Sequence, residues 1–314
     1  MENFLFSVNA VAPLFVLMTL GYIVRQTNII SESFIFEANK FVFKLLLPLM
    51  LFQNIRSTFH GEIPNGKLII AAIIGTTIVI TLSILIVPLF IQGRGRRGSM
   101  IQGIYRSNFL IYGMPLAMGM YGNEAAQSIA VLMGFVIPFY NVSAVIILTI
   151  YSEDNLSLKI IDIIKGIFTN PLILGCIIGI FFGYFNIQIP TLINRPISEL
   201  AAAASPLALF LTGADFRFKS VKNNIWLVLS ATFARLILVP VLALFVFILI
   251  GFRGLDLSVL LCIFATPASV SSYIMAKSMG NDGELSGQIV VVSTVASSIT
   301  IFLLIYVLRS LGYL

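Results

Sequence analysis

NFLIYGMPLAMGMYG, residues 108–122, sits inside a long apolar segment yet carries Asn108, Gly113 and Pro115. A helix that crosses hydrocarbon must pair its backbone groups internally, because no water is there to bond them. Proline removes one donor and its ring collides with the preceding turn. A spanning segment tolerates such residues at depth where the backbone is buried in protein or lines a cavity. The stretch therefore predicts a helix broken near mid-membrane, and the rest of the chain decides what the break is for.

The surroundings are unambiguous. Hydrophobic residues make up 59% and charged residues 10% of the 314, with a mean hydropathy of +1.03, which excludes a soluble domain with a polar surface. The net charge of +6 reads as basic loops that hold topology, not as a nucleic-acid surface. Cys176 and Cys262 lie in apolar runs and read as small buried side chains rather than a disulfide or metal ligands. The N-terminal segment carries Glu2, lacks a basic start and has an apolar run long enough to span, so it reads as a first span and not a cleaved signal.

Hydropathy predicts an all-α integral membrane protein with ten transmembrane helices: Phe4 to Val24, Phe34 to Ile55, Leu68 to Ile91, Met100 to Tyr121, Ala125 to Tyr151, Pro171 to Ile189, Leu200 to Phe216, Ile225 to Phe252, Leu257 to Ser278 and Ser286 to Leu308. SEDNLSLKIIDIIKGIFTN, residues 152–170, mixes charged and apolar residues at helical spacing and suits an amphipathic linker at the cytoplasmic surface.

Proline spacing gives the organisation. Pro13 to Pro48 and Pro171 to Pro206 both span 35 residues, and Pro88 to Pro115 and Pro240 to Pro267 both span 27. PLMLFQN from Pro48 resembles PLALFLTG from Pro206, and Gly122-Asn123-Glu124 resembles Gly280-Asn281-Asp282. Residues 1–151 and 171–314 are thus read as two five-helix repeats joined by the linker at 152–170. An odd number of spans per repeat makes the second enter from the opposite side, so the repeats are inverted and spans four and nine are equivalent. Of the 19 lysines and arginines, eleven fall beside the loops after odd-numbered spans, among them Arg94, Arg96, Arg97 and Arg106, and five on the other side. The positive-inside rule puts the Arg94–Arg97 loop in the cytoplasm and both termini outside a cell membrane.

The equivalent breaks are Gly113-Met114-Pro115 and Ala265-Thr266-Pro267. Half-helix N-termini offer free N–H groups and a positive dipole end to an anion. Proline suits the first helical position. Thr266 is expected to cap the second half of span nine, while Ser107 and Asn108 supply polar groups before the first break. Arg235, about ten residues into span eight, must face protein or a water-filled cavity, as a structural partner or as a pathway contact. Ser271, Ser272, Ser293, Thr294, Ser297 and Ser298 read first as packing contacts, with Ser293 and Thr294 as the pathway or ion alternative. Lys40 and Lys44 with Glu37 form a paired, snorkelling stripe on span two. His60, the only histidine, lies in a loop with no metal-site pattern.

No catalytic constellation, cofactor motif or metal-ligand spacing appears, so the chain reads as no enzyme; and no phosphate-binding G-x-x-x-x-G-K-[ST] loop makes it an ATP-driven pump. Glu37, Glu199 and Asp215 all lie toward span ends, which leaves no midplane carboxylate for a proton relay.

RSNFLIYGMPL (106–116) with Pro267, the NPL that opens span six, and GYIVRQTNIISESFIFEANKFVFKLLLPLMLFQNI (21–55) resemble the auxin efflux carrier family, which includes bacterial organic-acid permeases and plant PIN proteins. The resemblance covers essentially the whole chain. It implies ten helices, with a scaffold from spans one, two, six and seven and a moving body from the other six that carries crossed helices four and nine. It also implies a homodimer and an elevator-type movement, with Asn108 and the crossover prolines at the substrate. The short linker departs from plant members, and Ala268-Ser269 stand where those have glutamine after the proline. The substrate-binding candidates are Ser107, Asn108, Gly113, Pro115, Thr266, Pro267, Ala268 and Ser269, with Arg235, Ser293 and Thr294 as pathway contacts. The expected function is secondary transport of a small organic anion, a carboxylate, with no cofactor and no nucleic acid, the bilayer being its other partner. A sodium-coupled symporter of the bile-acid-carrier type is the runner-up, and an anion receptor that does not transport is the third reading.

Overall fold

A computed structural model describes residues 16–58, 66–153, 168–216 and 218–314. The start of span one, His60 and the amphipathic linker from 154 to 167 lie outside these residues. Every element described is helical, and no strand occurs among the described residues. Helix α1 covers 16–26; α2 runs through Glu32–Phe41, a π-turn at Val42–Leu46 and Leu47–Thr58; α3 is Gly66–Phe90 and α4 is Arg94–Tyr105. After a second π-turn, Phe109–Gly113, comes α5, Met114–Ile150, which kinks at Gly122 where φ is 65°. Then follow α6 (Pro171–Tyr184), α7 (Thr191–Asp215), α8 (Phe218–Phe233, a π-turn at Ala234–Leu238, Val239–Ile250), α9 (Gly254–Ala265), α10 (Val270–Ser278) and α11 (Gly283–Ser310).

Five helical stretches are long and apolar enough to cross a membrane: Gly66–Phe90, Val131–Ile150, Thr191–Asp215, Asn224–Ile250 and Gly283–Ser310. Helix α3 shows why. It buries one stripe, Leu68, Ala72, Thr76, Ile80, Ser83 and Val87, at helical spacing. Ile70, Ile74, Ile78, Leu82, Leu85 and Leu89 are exposed on its other faces, an apolar surface that a water-soluble protein does not leave bare. The protein is a multi-pass membrane protein.

Two corrections concern helix starts. The GRGRRG segment is not a loop, because α4 begins at Arg94. Its arginines serve helix C-termini: Arg97 donates to the carbonyls of Ile91 (2.7 Å) and Pro88 (3.3 Å), and Arg94 to that of Ile150 (2.6 Å). Helix α7 begins at Thr191, well before Leu200, and an Arg195–Glu199 pair one turn apart (3.0 Å) marks its polar first turns.

The helices pack in two groups. In the first, α2 lies along α6 and α7, and α1 crosses α7. A Cβ on Gly175 would lie 2.5 Å from the Pro48 carbonyl oxygen, and one on Gly213 would lie 1.8 Å from that of Met18, so glycine is what lets these backbones touch. In the second group, α4, α8 and α10 pack on α11, while α9 packs on α5 and on the second half of α8. A polar cluster ties the groups: Asn39 Nδ2 on α2 donates to Tyr273 Oη on α10 (2.9 Å), Tyr273 donates to Asp215 Oδ2 at the end of α7 (2.8 Å), and Lys277 pairs with the same carboxylate.

Candidate functional site

The two breaks meet. Between α4 and the π-turn, Arg106, Ser107 and Asn108 are not helical; between α9 and α10, residues 266–269 are not helical. The two segments cross antiparallel with a bridge between Ser107 and Ala268. Asn108 N–H donates to the Pro267 carbonyl (2.9 Å), and Ser269 N–H to that of Arg106 (3.0 Å). Backbone groups that leave their own helices thus satisfy each other inside the protein.

The second break lies where the sequence placed it. The first lies earlier than expected, at 106–108 and not at Gly113-Met114-Pro115. The backbone explains the difference. Each π-turn ends two residues before a proline: Leu46 before Pro48, Gly113 before Pro115, Leu238 before Pro240. The wider turn absorbs the missing donor and the ring collision without interrupting the helix. The helix after the crossing therefore begins at Phe109, and the Asn108 carbonyl accepts from Tyr112 N–H (3.0 Å), its first bond.

Arg235, 1% exposed, holds the other ends. Its Nε donates to the Thr266 carbonyl (2.8 Å), Nη2 to Ile263 (2.9 Å), and Nη1 to Ile104 and Tyr105 (3.2 Å each). One guanidinium thus caps the C-termini of α4 and α9, where carbonyls lack helical partners and the dipole is negative. The resolved bonds of Arg235 all go to backbone, so of the two roles it was given, the structure shows the structural partner.

A small cavity of about 50 Å³ opens at the crossing. Leu47, Met50, Leu51, Ser205 and Ala208 of α2 and α7 form one wall; Arg106, Ser107, Asn108, Phe109, Ser269, Val270 and Ser271 form the other, with Ile137 and Tyr140 of α5 between them. Ser107 Oγ and Tyr140 Oη are 3.1 Å apart. The N-terminal ends of both second halves, at Phe109 and at Val270–Ser271, belong to this wall, and the first N–H groups of a helix have no intrahelical acceptor.

Of the sequence candidates, Ser107, Asn108 and Ser269 line the cavity. Pro267 and Ala268 shape the crossing; the Ala268 N–H donates to Ser293 Oγ of α11 (3.2 Å). Thr266 does not cap α10. Its hydroxyl donates back to the Cys262 carbonyl (2.8 Å), and Ser269 holds the N-cap position. Gly113 packs on α9, where a Cβ would lie 2.9 Å from that of Cys262, and Pro115 lies in the helix beyond the π-turn. Thr294 is buried, its carbonyl accepting from Ser297 (2.7 Å). Ser271 lines the cavity, Ser297 is buried and Ser298 is half-buried.

Three cavity-side residues were missed. Arg106 was counted as a loop charge, yet it is 4% exposed and bonds Asn141 Oδ1 (2.6 Å) and Met275 Sδ (2.9 Å). Tyr140, on the cavity wall, and Asn141, behind it, lie within the predicted span five and were not singled out. The available signal was a lone arginine six residues inside the predicted span four, directly before Ser107-Asn108. Among the described residues, no group of three or more His, Cys, Asp or Glu is placed to hold a metal ion.

Apolar spanning helices wrapped around a buried crossing, with a small cavity of mixed polar and apolar lining, fit a multi-pass membrane transporter. The profile of the family described as "Membrane transport protein" matches residues 6–305, and the chain belongs to that family, the auxin efflux carrier family. Among its relatives is a protein of Rhizobium meliloti (strain 1021) named "Putative malonate transporter", 24% identical over 305 residues that cover 96% of this chain and 95% of that protein. Auxin efflux carrier component 5 of Arabidopsis thaliana is 24% identical over 318 residues (87% of this chain, 88% of that protein). Auxin efflux carrier component 8 of the same plant is 34% identical over 127 residues (38% of this chain, 34% of that protein). The family and these relatives are transporters, not enzymes.

Proposed function

We propose that this protein carries a small organic anion, a mono- or dicarboxylate, across the cell membrane as a secondary transporter. The anion sits in the cavity at the crossing, against Ser107, Asn108, Ser269 and the N-terminal ends at Phe109 and Val270. The single observation that carries this reading is that cavity, walled on one side by two converging positive helix ends and on the other by α2 and α7. A site shared between two packing groups changes its exposure when one group slides past the other, which supports an elevator movement of the crossing body against α1, α2, α6 and α7. In this reading the ten spans form two inverted repeats, the chain works as a homodimer with both termini outside, and export runs down the membrane potential with no coupling ion.

The malonate named for the Rhizobium meliloti relative makes malonate the first probe. A ligand that binds only the folded state raises its melting temperature. Purified protein is expected to melt higher in malonate or another short carboxylate, and Asn108→Ala to lose most of that shift while its melting temperature without ligand stays within about 2–4 °C of the parent, as a change of about 1 kcal/mol would give. A shift that Asn108→Ala retains in full would move the site away from the crossing.

A further inference from the structure

Two arginines are buried at the crossing, and they differ in what neutralises them. Arg235 is surrounded by four backbone carbonyls at two helix C-termini, a nest of partial negative charge. Arg106 has no such compensation. Its resolved side-chain bonds go to the neutral Asn141 Oδ1 and to the weak acceptor Met275 Sδ. Among the described residues, the ionisable groups that act on it are Tyr105, Tyr140 and Cys176, and no carboxylate is one of them. Asn141 in turn donates through Nδ2 to Cys176 Sγ (3.4 Å), which turns its carbonyl oxygen toward the guanidinium. Arg106 forms part of the cavity wall, between Tyr140 and the N-terminal end of α10.

A guanidinium keeps its charge in a protein, and a buried charge without a counter-charge is strongly unfavourable. A chain retains one where a ligand supplies the missing charge. We infer that Arg106 is the fixed counter-charge of the transported carboxylate, so that the empty site bears one positive charge and a site loaded with a monoanion bears none. This rests on the anion-transport reading and gives it a charge rule. Carboxylate and guanidinium match in geometry as well as sign, and the N–H groups at Phe109 and Val270 complete the shell around the same anion.

The rule has a kinetic consequence. A body loaded with a monocarboxylate crosses with its charge compensated, whereas the empty body must return with a bare buried cation. Return of the empty carrier is then the slow step, and substrate on the far side accelerates transport by letting the body return loaded.

Two measurements on the full-length protein test this, with Arg106→Gln, Arg106→Lys and Arg235→Gln beside the native chain. Without any carboxylate, Arg106→Gln is expected to melt at or above the native temperature, because it removes an uncompensated charge and keeps a donor for Asn141. Arg235→Gln is expected to melt well below it. In proteoliposomes, unlabelled external pyruvate, a monoanion, is expected to speed efflux of radiolabelled pyruvate about tenfold for the native protein. Arg106→Gln is expected to lose that acceleration and to raise the half-saturation concentration on the order of a hundredfold, with Arg106→Lys retaining part of both. A melting loss in Arg106→Gln as large as that of Arg235→Gln, or a native half-saturation concentration in Arg106→Gln, overturns the assignment. Should neither malonate nor other short carboxylates bind or move with any of the four proteins, the transport reading fails. The melting comparison then still decides Arg106: a rise or no change supports the uncompensated charge, and a fall overturns it.

Discussion

At the scale of single residues, Arg235 shows how a charge can be held at bilayer depth without any acidic partner. Four carbonyls from two segments, Ile104 and Tyr105 on one and Ile263 and Thr266 on the other, converge on it. Replacing it with glutamine leaves most of those carbonyls unbonded, and losing a buried charged partner costs about 3–5 kcal/mol. Arg235→Gln is therefore expected to be the least stable of the crossing variants in a thermal melt, and Arg235→Lys only partly better, since a lysine cannot reach two helix ends in a fixed fork. The depth of Arg235 is legible in the sequence, because it is counted along an apolar run. Its partners are not, since they lie about 130 residues away on one side and about 30 on the other. Thr266 was misread for a related reason: a threonine can cap the next helix or bond back to its own, and only the surrounding path, here the carbonyl of Cys262 at 2.8 Å, selects between them.

At the scale of elements, the prolines mark special backbone but not always a break. Pro115 follows a π-turn and the helix continues through it, whereas the break nearby falls at Ser107, where no proline stands. A π-turn inserts a residue into the helical repeat without changing composition, so hydropathy and proline spacing do not register it. The difference is measurable. Pro115→Ala is expected to change stability by about 1 kcal/mol or less and to leave malonate transport near native, because the N–H groups at the crossing belong to Phe109 and its neighbours. Uptake reduced tenfold or more by Pro115→Ala, with folding intact, would return the first break to Gly113-Met114-Pro115. The seventh helix failed in the opposite direction. Its start at Thr191 is polar and lies before the weak AAAASPLALF run, and the Arg195–Glu199 pair stabilises turns that an apolar scan passes over.

At the scale of the whole molecule, the apolar spans and the order of their packing differ in legibility. Hydropathy carries the apolar helices, five of which are long and apolar enough to cross a membrane, because faces such as that of α3 must meet hydrocarbon. The two packing groups depend on close approaches such as Gly175 to Pro48 and Gly213 to Met18, which no local pattern encodes. The cavity lies between those groups, and the Asp215, Lys277, Tyr273 and Asn39 cluster joins them beyond one end of it. In the proposed mechanism the membrane potential alone drives the anion, at about 2.3 kcal/mol per charge per 100 mV, roughly a fiftyfold concentration ratio. The most direct test loads proteoliposomes with radiolabelled malonate, imposes a potassium diffusion potential negative inside, and matches sodium and pH on both faces. Efflux is expected to rise steeply with the potential and to need neither ion gradient; efflux that ignores the potential and begins only when a sodium or proton gradient is added would contradict the account.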